Sequence, residues 1–273
     1  MENLSFVLCV VVSFFCSHQT EPGAESENDA MISVSMYSST VKDTMVIDVS
    51  FPGSYKADLT TRYPVLYLTD GYWRRGQHGP IHSMAKTENV REMIIVGIGY
   101  PSSHDPNSIR VRDLIRNPDR FLDFILHELI PYVDKEFRTT NEQTLWGSSY
   151  GGFFAMFTLF RYAEKTKGAF QNYVVVSPAA LETAYYDGSE TNLFDFERML
   201  SAKTTDLNLG LYVTVGGNED PDRFLNPFRQ LVSALESRHY NGFFMKSFID
   251  PGKDHYTVWE PTLYEGVRMF LKK

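Results

Sequence analysis

The sequence predicts an α/β fold: a mostly parallel sheet, an antiparallel hairpin at its N-terminal end, and helices on both faces. Three observations carry that expectation. Short, fully apolar runs of strand length recur along the chain, as in strands buried on both faces. Segments with helical periodicity separate them. One strand-like run passes through a glycine-rich turn, Gly147-Ser148-Ser149-Tyr150-Gly151-Gly152, straight into an apolar helical run over residues 153–160. At 273 residues the chain can bury a sizeable core as one domain.

Residues 4–16 are apolar apart from serine, and too short to span a membrane comfortably. They fit the hydrophobic region of a secretory signal, although Met1-Glu2-Asn3 brings no basic side chain. Residues 17–29 are polar and acidic, like a flexible tether. Residues 1–30 are therefore expected to be signal peptide and tether, residues 31–273 the folded domain, and the protein exported to the periplasm or beyond. A cleaved leader or a mis-assigned start codon are the alternatives. Cys9 and Cys16 both lie in the leader, so the body has no disulfide and no cysteine metal site. Cys16 is a candidate for lipidation, with bulky Phe14 and Phe15 before it. A membrane is an expected partner only through that lipid.

Residues 33–39 and 45–51 alternate and are β-branched, as in an antiparallel hairpin that Pro52-Gly53 stops. Residues 63–70 and 93–99 read as buried strands, the first ending in Asp70-Gly71-Tyr72-Trp73. Over residues 120–137, Phe121, Phe124, Ile125, Leu129 and Val133 mark one helical face, with Pro131 expected to kink or divide it. Residues 141–146, 172–177, 209–215 and 243–249 are the remaining strands, and residues 221–239 and 258–271 the remaining helices. Residues 181–208 are polar and irregular, with a short helix at 193–200, and read as a small lid-like insert or substrate wall. In such sheets a site lies outside the carboxyl ends of the strands. Asp70-Gly71, Ser149, and the segments after Ser177 and Val215 would meet there.

The net charge of −8 and the lack of a lysine or arginine block argue against a nucleic acid partner. Gly147, Ser149 and Gly151 form G-x-S-x-G between strand and helix, the context of a nucleophile elbow. A plain glycine-rich turn is the alternative. Ser148 holds the variable position and is expected to point elsewhere. A serine hydroxyl needs a base within hydrogen-bond reach, and the base needs an orienting acceptor. Among the histidines, His18 is in the leader, His127 is mid-helix, His239 ends a helix and His104 is in a polar loop. His78 and His82 are four apart, but Gly79-Pro80 is expected to spoil a helix there, and no further metal ligands stand near. His255, after the last strand, is the candidate base, which gives the chain order serine, acid, histidine. Glu219 and Asp220 both qualify as the acid, with Asp222 a weaker third; the carboxylate not used would cap the helix near Pro221. The N–H groups of Tyr150 and Tyr72 are the candidate oxyanion donors. Gly71, Tyr72, Trp73, Arg74 and Arg75 would border the acyl pocket. This chemistry needs no metal and no cofactor.

With these residues in place, the chain resembles the putative esterase family of α/β-hydrolases, which includes esterase D, feruloyl esterases and enterochelin-type esterases. The resemblance rests on Tyr63 through Gly71, Glu128-Leu129-Ile130-Pro131-Tyr132-Val133, the Gly147 to Gly152 elbow, Gly216-Gly217-Asn218-Glu219 and Gly252-Lys253-Asp254-His255. It implies an α/β-hydrolase fold and a serine esterase acting on a small-molecule ester, a siderophore lactone or an aromatic acyl ester. The Gly-x-Asn-acid pattern favours Glu219 over Asp220. Thr69 departs from the Leu-Asp-Gly usual in the siderophore branch, which leaves the backbone role intact. Acyl transfer on the same residues and a non-catalytic surface protein are the alternative readings.

Overall fold

A computed structural model describes residues 31–100, 105–186 and 188–273, with the backbone alone at Tyr186. The expected leader, both cysteines, His18 and His104 lie outside the described residues. In chain order the elements are β1 (Met31–Ser38), β2 (Asp43–Ser50), β3 (Tyr63–Leu68), α1 (Gly71–Arg74), α2 (His78–Thr87), β4 (Ile94–Gly99), α3 (Pro106–Val111), α4 (Pro118–Phe124), α5 (Ile130–Glu136) and β5 (Thr139–Ser148). There follow α6 (Tyr150–Phe160), β6 (Asn172–Val176), β7 (Ala184–Tyr186), β8 (Ser189–Thr191), α7 (Leu193–Ser201), β9 (Asp206–Gly216), α8 (Asn226–Arg238), β10 (Asn241–Asp250) and α9 (Trp259–Phe270).

The main sheet has eight strands in the order β1-β2-β4-β3-β5-β6-β9-β10. β1 and β2 pair antiparallel, as does β2 with β4, and every other pairing in the sheet is parallel. The apolar strands alternate sides because side chains of a strand point to opposite faces. Val65 and Tyr67 of β3 join one core, with Leu145, Tyr173 and Val175. Leu66 and Leu68 join the other, with Trp146, Val174 and Val176. Helices α4 to α8 cover the first face and α2 and α9 the second. Trp146 is fully buried in the second; truncation to alanine there costs about 3–5 kcal/mol. From the adjacent central strands β3 and β5 the chain leaves toward opposite edges, and that switch point opens a crevice.

Pro131 does not cut its helix. The chain passes from α4 through one widened turn, Ile125–Leu129, into α5, with the Ile130 N–H bonding back to the Ile125 carbonyl. Proline lacks an N–H and its ring collides with the carbonyl four residues back. A wider turn moves that carbonyl aside. The same device precedes Pro227, where Asn226 bonds to Pro221, whereas at Pro118 the helix breaks at Asn117 and restarts with the proline in its first turn.

One expectation fails locally. Gly79-Pro80 does not prevent a helix, since α2 runs from His78 to Thr87. Both residues sit in its first turn, where N–H groups have no intrahelical partner and proline loses nothing. The insert over residues 181–208 contains the expected short helix, as α7. β7 and β8 form a small antiparallel hairpin. Asn192 and Asp195 make a capping box for α7, whose Leu193, Phe196 and Leu200 are buried in the first core.

Candidate active site

β5 ends at Ser148 and α6 begins at Tyr150, so Ser149 alone makes the turn, with φ 59° and ψ −113°. That is a costly backbone for a residue with a side chain. It persists because its surroundings over-determine it. The Ser149 N–H donates to the Val176 carbonyl at 2.9 Å, and its own carbonyl accepts from Phe153 at 2.8 Å. A Cβ on Gly147 would lie 2.1 Å from the Gly151 carbonyl oxygen, and one on Gly151 would lie 2.4 Å from Thr69 Oγ1. Strand, helix and the end of β3 close on each other only where those side chains are missing. Ser148 is buried and does not line the cleft, and its carbonyl accepts from Arg110.

β9 and β10 are parallel neighbours, so the loops after them lie side by side. The Gly217 N–H donates to the Asp250 carbonyl at 2.6 Å and the Asn218 N–H to that of Lys253 at 2.9 Å. Asp254 then turns the chain by accepting from the Tyr256 and Thr257 N–H groups and from the Thr257 hydroxyl. This lowers His255 between the two carried partners. Its Nε2 is 3.0 Å from Ser149 Oγ and its Nδ1 is 2.6 Å from Glu219 Oε2. The other Glu219 oxygen accepts from the Gly216 N–H at 2.7 Å and from the Ser177 hydroxyl. A carboxylate has only acceptors to offer, so Nδ1 carries the proton and the Nε2 lone pair faces the serine. The Glu219 side chain is wholly buried and that of His255 one-quarter exposed.

Asp220 takes the other task. It caps the helical segment after it, accepting from the Asp222 and Arg223 N–H groups at 2.9 and 2.8 Å. Asp222 is exposed and bonds Asn226. The Phe224 ring lies 4.4 Å from the His255 ring, centre to centre.

The serine opens on a cleft of about 580 Å³ lined by Arg110, Tyr150, Leu181, Glu182, Asn218, Arg223, Phe224 and Tyr256 around the serine, histidine and glutamate. Gly71, Tyr72, Trp73 and Arg74 do not line it. Asp70 adopts φ 57° and the chain turns at once into α1, which fans those side chains outward. Gly71 serves close packing, since a Cβ there would meet the Gly97 carbonyl carbon at 2.6 Å. Arg74 lies on the opposite face, its guanidinium 3.8 Å over the Trp259 ring, so the acyl-pocket role expected of it is corrected. Arg75 pairs with Asp48 at 3.5 Å. Of the cleft walls the sequence indicated only part. Arg110 sits on α3, a segment without a clear apolar period. Phe224 was findable, because it falls in the first turn after the acid loop.

His78 and His82 both turn inward and share the Ser50 hydroxyl, at 2.7 and 2.8 Å. Burial pushes each ring down to about 4. Among the described residues, no group of three or more His, Cys, Asp or Glu could hold a metal ion.

The family model described as Putative esterase matches residues 38–270. The chain belongs to that family. It is a carboxylic-ester hydrolase. The esterase is 23% identical to YjcH, an uncharacterised protein of Bacillus subtilis, over 246 residues that cover 86% of this chain and 95% of that one. It is 29% identical over 160 residues to the siderophore triacetylfusarinine C esterase of Aspergillus fumigatus, covering 49% and 51%. Among solved structures, the BES protein from Bacillus cereus matches with a TM-score of 0.74 at 25% identity, over 94% of the esterase and all of that chain. The siderophore hydrolase EstA from Aspergillus nidulans matches with a TM-score of 0.73 at 20% identity, over 93% and 98%, a likeness of fold.

Proposed function

We propose that the esterase cleaves its substrate through an acyl-enzyme on Ser149. The observation that carries this reading is the unbroken chain Ser149 Oγ, His255 Nε2, His255 Nδ1, Glu219 Oε2 at the mouth of a cleft. Ser149 attacks the ester carbonyl while His255 takes its proton. Glu219 fixes the tautomer and stabilises the imidazolium, without taking the proton itself. The Tyr150 N–H, first in α6, holds the developing oxyanion, helped by the positive end of that helix. The Tyr72 N–H, in the turn after β3, is the second donor; the contact of Thr69 with Gly151 supports this by bringing that turn against the start of α6. His255 then returns the proton to the departing alcohol, and water completes the cycle by the same route.

For the substrate we propose a small-molecule ester with a bulky or aromatic acyl group, a siderophore lactone among them. The named siderophore esterase among the relatives and the aromatic lining of Tyr150, Phe224 and Tyr256 support that class. The test is hydrolysis of 4-nitrophenyl acetate and butyrate by wild type and Ser149→Ala, beside a panel of siderophore lactones and feruloyl esters. Equal rates in the two proteins would end the proposal.

A further inference from the structure

Arg110 has a role in the cleft that the triad does not use. Its guanidinium has five N–H groups. Nε–H donates to Asp70 Oδ1 at 2.7 Å and Nη2 donates to the Ser148 carbonyl at 3.0 Å. Those bonds take the side-on edge of the fork. They also fix it, because Asp70 is buried and Ser148 is the last residue of β5. The Arg110 Cζ lies 5.0 Å from the Tyr150 ring centre and 5.9 Å from that of Trp73, which adds cation–π support. The side chain is 18% exposed and lines the cleft, and Nη1 takes part in neither of those two bonds. Asp70 is shared with Arg74, on which Glu260 also acts.

The chemistry places the two halves of an ester. The leaving oxygen must lie against His255 Nε2 to be protonated. The acyl part then extends away from His255, toward the wall of Tyr150 and Arg110. We propose that Arg110 forms an anion-recognising subsite for the acyl half, which selects esters whose acyl chain carries a carboxylate. A fork held on one edge presents the other ready-made, and paired N–H donors match a carboxylate better than a point charge does. This rests on the hydrolytic reading of Ser149 given above.

The test separates binding from turnover. In Ser149→Ala protein, NMR titration compares monomethyl succinate, glutarate and adipate with methyl butyrate. The expected result is at least one diacid monoester bound about tenfold tighter than methyl butyrate, with that preference lost in Ser149→Ala/Arg110→Gln. No preference with any of the three, or a preference that survives the second change, overturns the subsite. Arg110→Gln alone strands a buried carboxylate, so Asp70→Asn/Arg110→Gln is made in parallel. Arg110→Lys is expected to keep only part of the preference. Turnover of 4-nitrophenyl butyrate by protein with Ser149 intact is read separately. Its absence beside an intact binding preference removes the catalytic reading and supports the subsite; its presence without the preference does the reverse.

Discussion

Among the described residues, two places bring a serine hydroxyl within hydrogen-bond distance of imidazole, and they differ in everything else. Ser149 meets His255 at 3.0 Å on the rim of a cleft. Ser50 meets His78 and His82 at 2.7 and 2.8 Å, with each histidine only 3% exposed. The far nitrogen of His255 rests on Glu219. The far nitrogens of His78 and His82 have no hydrogen-bond partner. An imidazolium formed at His255 is met by a buried carboxylate, whereas one formed beside Ser50 would be an uncompensated buried charge. Ser50 also lacks the left-handed backbone that pushes Ser149 out of its sheet. Proximity of the two groups is therefore the least demanding requirement; access and a waiting countercharge are what separate the sites.

Four measurements break or sharpen that contrast. Ser149→Ala is expected to lower kcat/KM for 4-nitrophenyl butyrate by on the order of 10⁴–10⁶. Ser50→Ala should leave it within about threefold, and a comparable loss there would mean the comparison is drawn in the wrong place. Glu219→Gln keeps the shape and removes the charge, with an expected fall of roughly 10²–10⁴ in kcat. A fall of less than tenfold would show that His255 works without its carboxylate.

The third measurement concerns acid. His78 and His82 have pKa values of about 4 in the fold against 6.5 in the free side chain, so between those values the unfolded chain binds more protons. The stability this provides is complete above pH 6.5 and is lost as pH falls toward 4. The expected loss is roughly 2 kcal/mol per ring, read from urea midpoints at pH 7 and 4.5. His82→Gln should flatten that slope, and an unchanged slope would locate the acid sensitivity elsewhere. The smallest effect is at the neighbouring carboxylate. Asp220→Ala removes a cap and should cost about 1 kcal/mol in thermal or urea unfolding. Turnover should stay within about twofold, and a large loss would return Asp220 to contention as the acid.

Much of this was legible in the residues themselves. The period of the apolar runs predicted the strands of the main sheet to within a few residues, because burial on both faces leaves little sequence freedom. The spacing of Gly147, Ser149 and Gly151 reported a steric requirement that the structure shows directly. Glu219 and Asp220 could not be separated by residue type, since either can accept a hydrogen bond. What separates them is which side of one turn faces β10, a fact of tertiary contact. Arg74 and Arg110 show the same limit. Chain proximity to Asp70 favoured Arg74, but α1 turns it to the far face, while Arg110 arrives from 40 residues away. Short helices with no apolar stripe, such as α3, leave no period to read.

The widened turn before Pro227 has a consequence for how the cleft can change over generations. Phe224 belongs to that turn and leans on the imidazole. Relaxing the turn to ordinary helical pitch would swing Phe224 by about 100° about the axis. Pro227 does not line the cleft, yet its ring needs the carbonyl four residues back moved aside, and the turn that does so carries Phe224. Replacement of a proline outside the pocket is thus a one-step route to a remodelled wall, open to drift without any change in the residues that touch substrate.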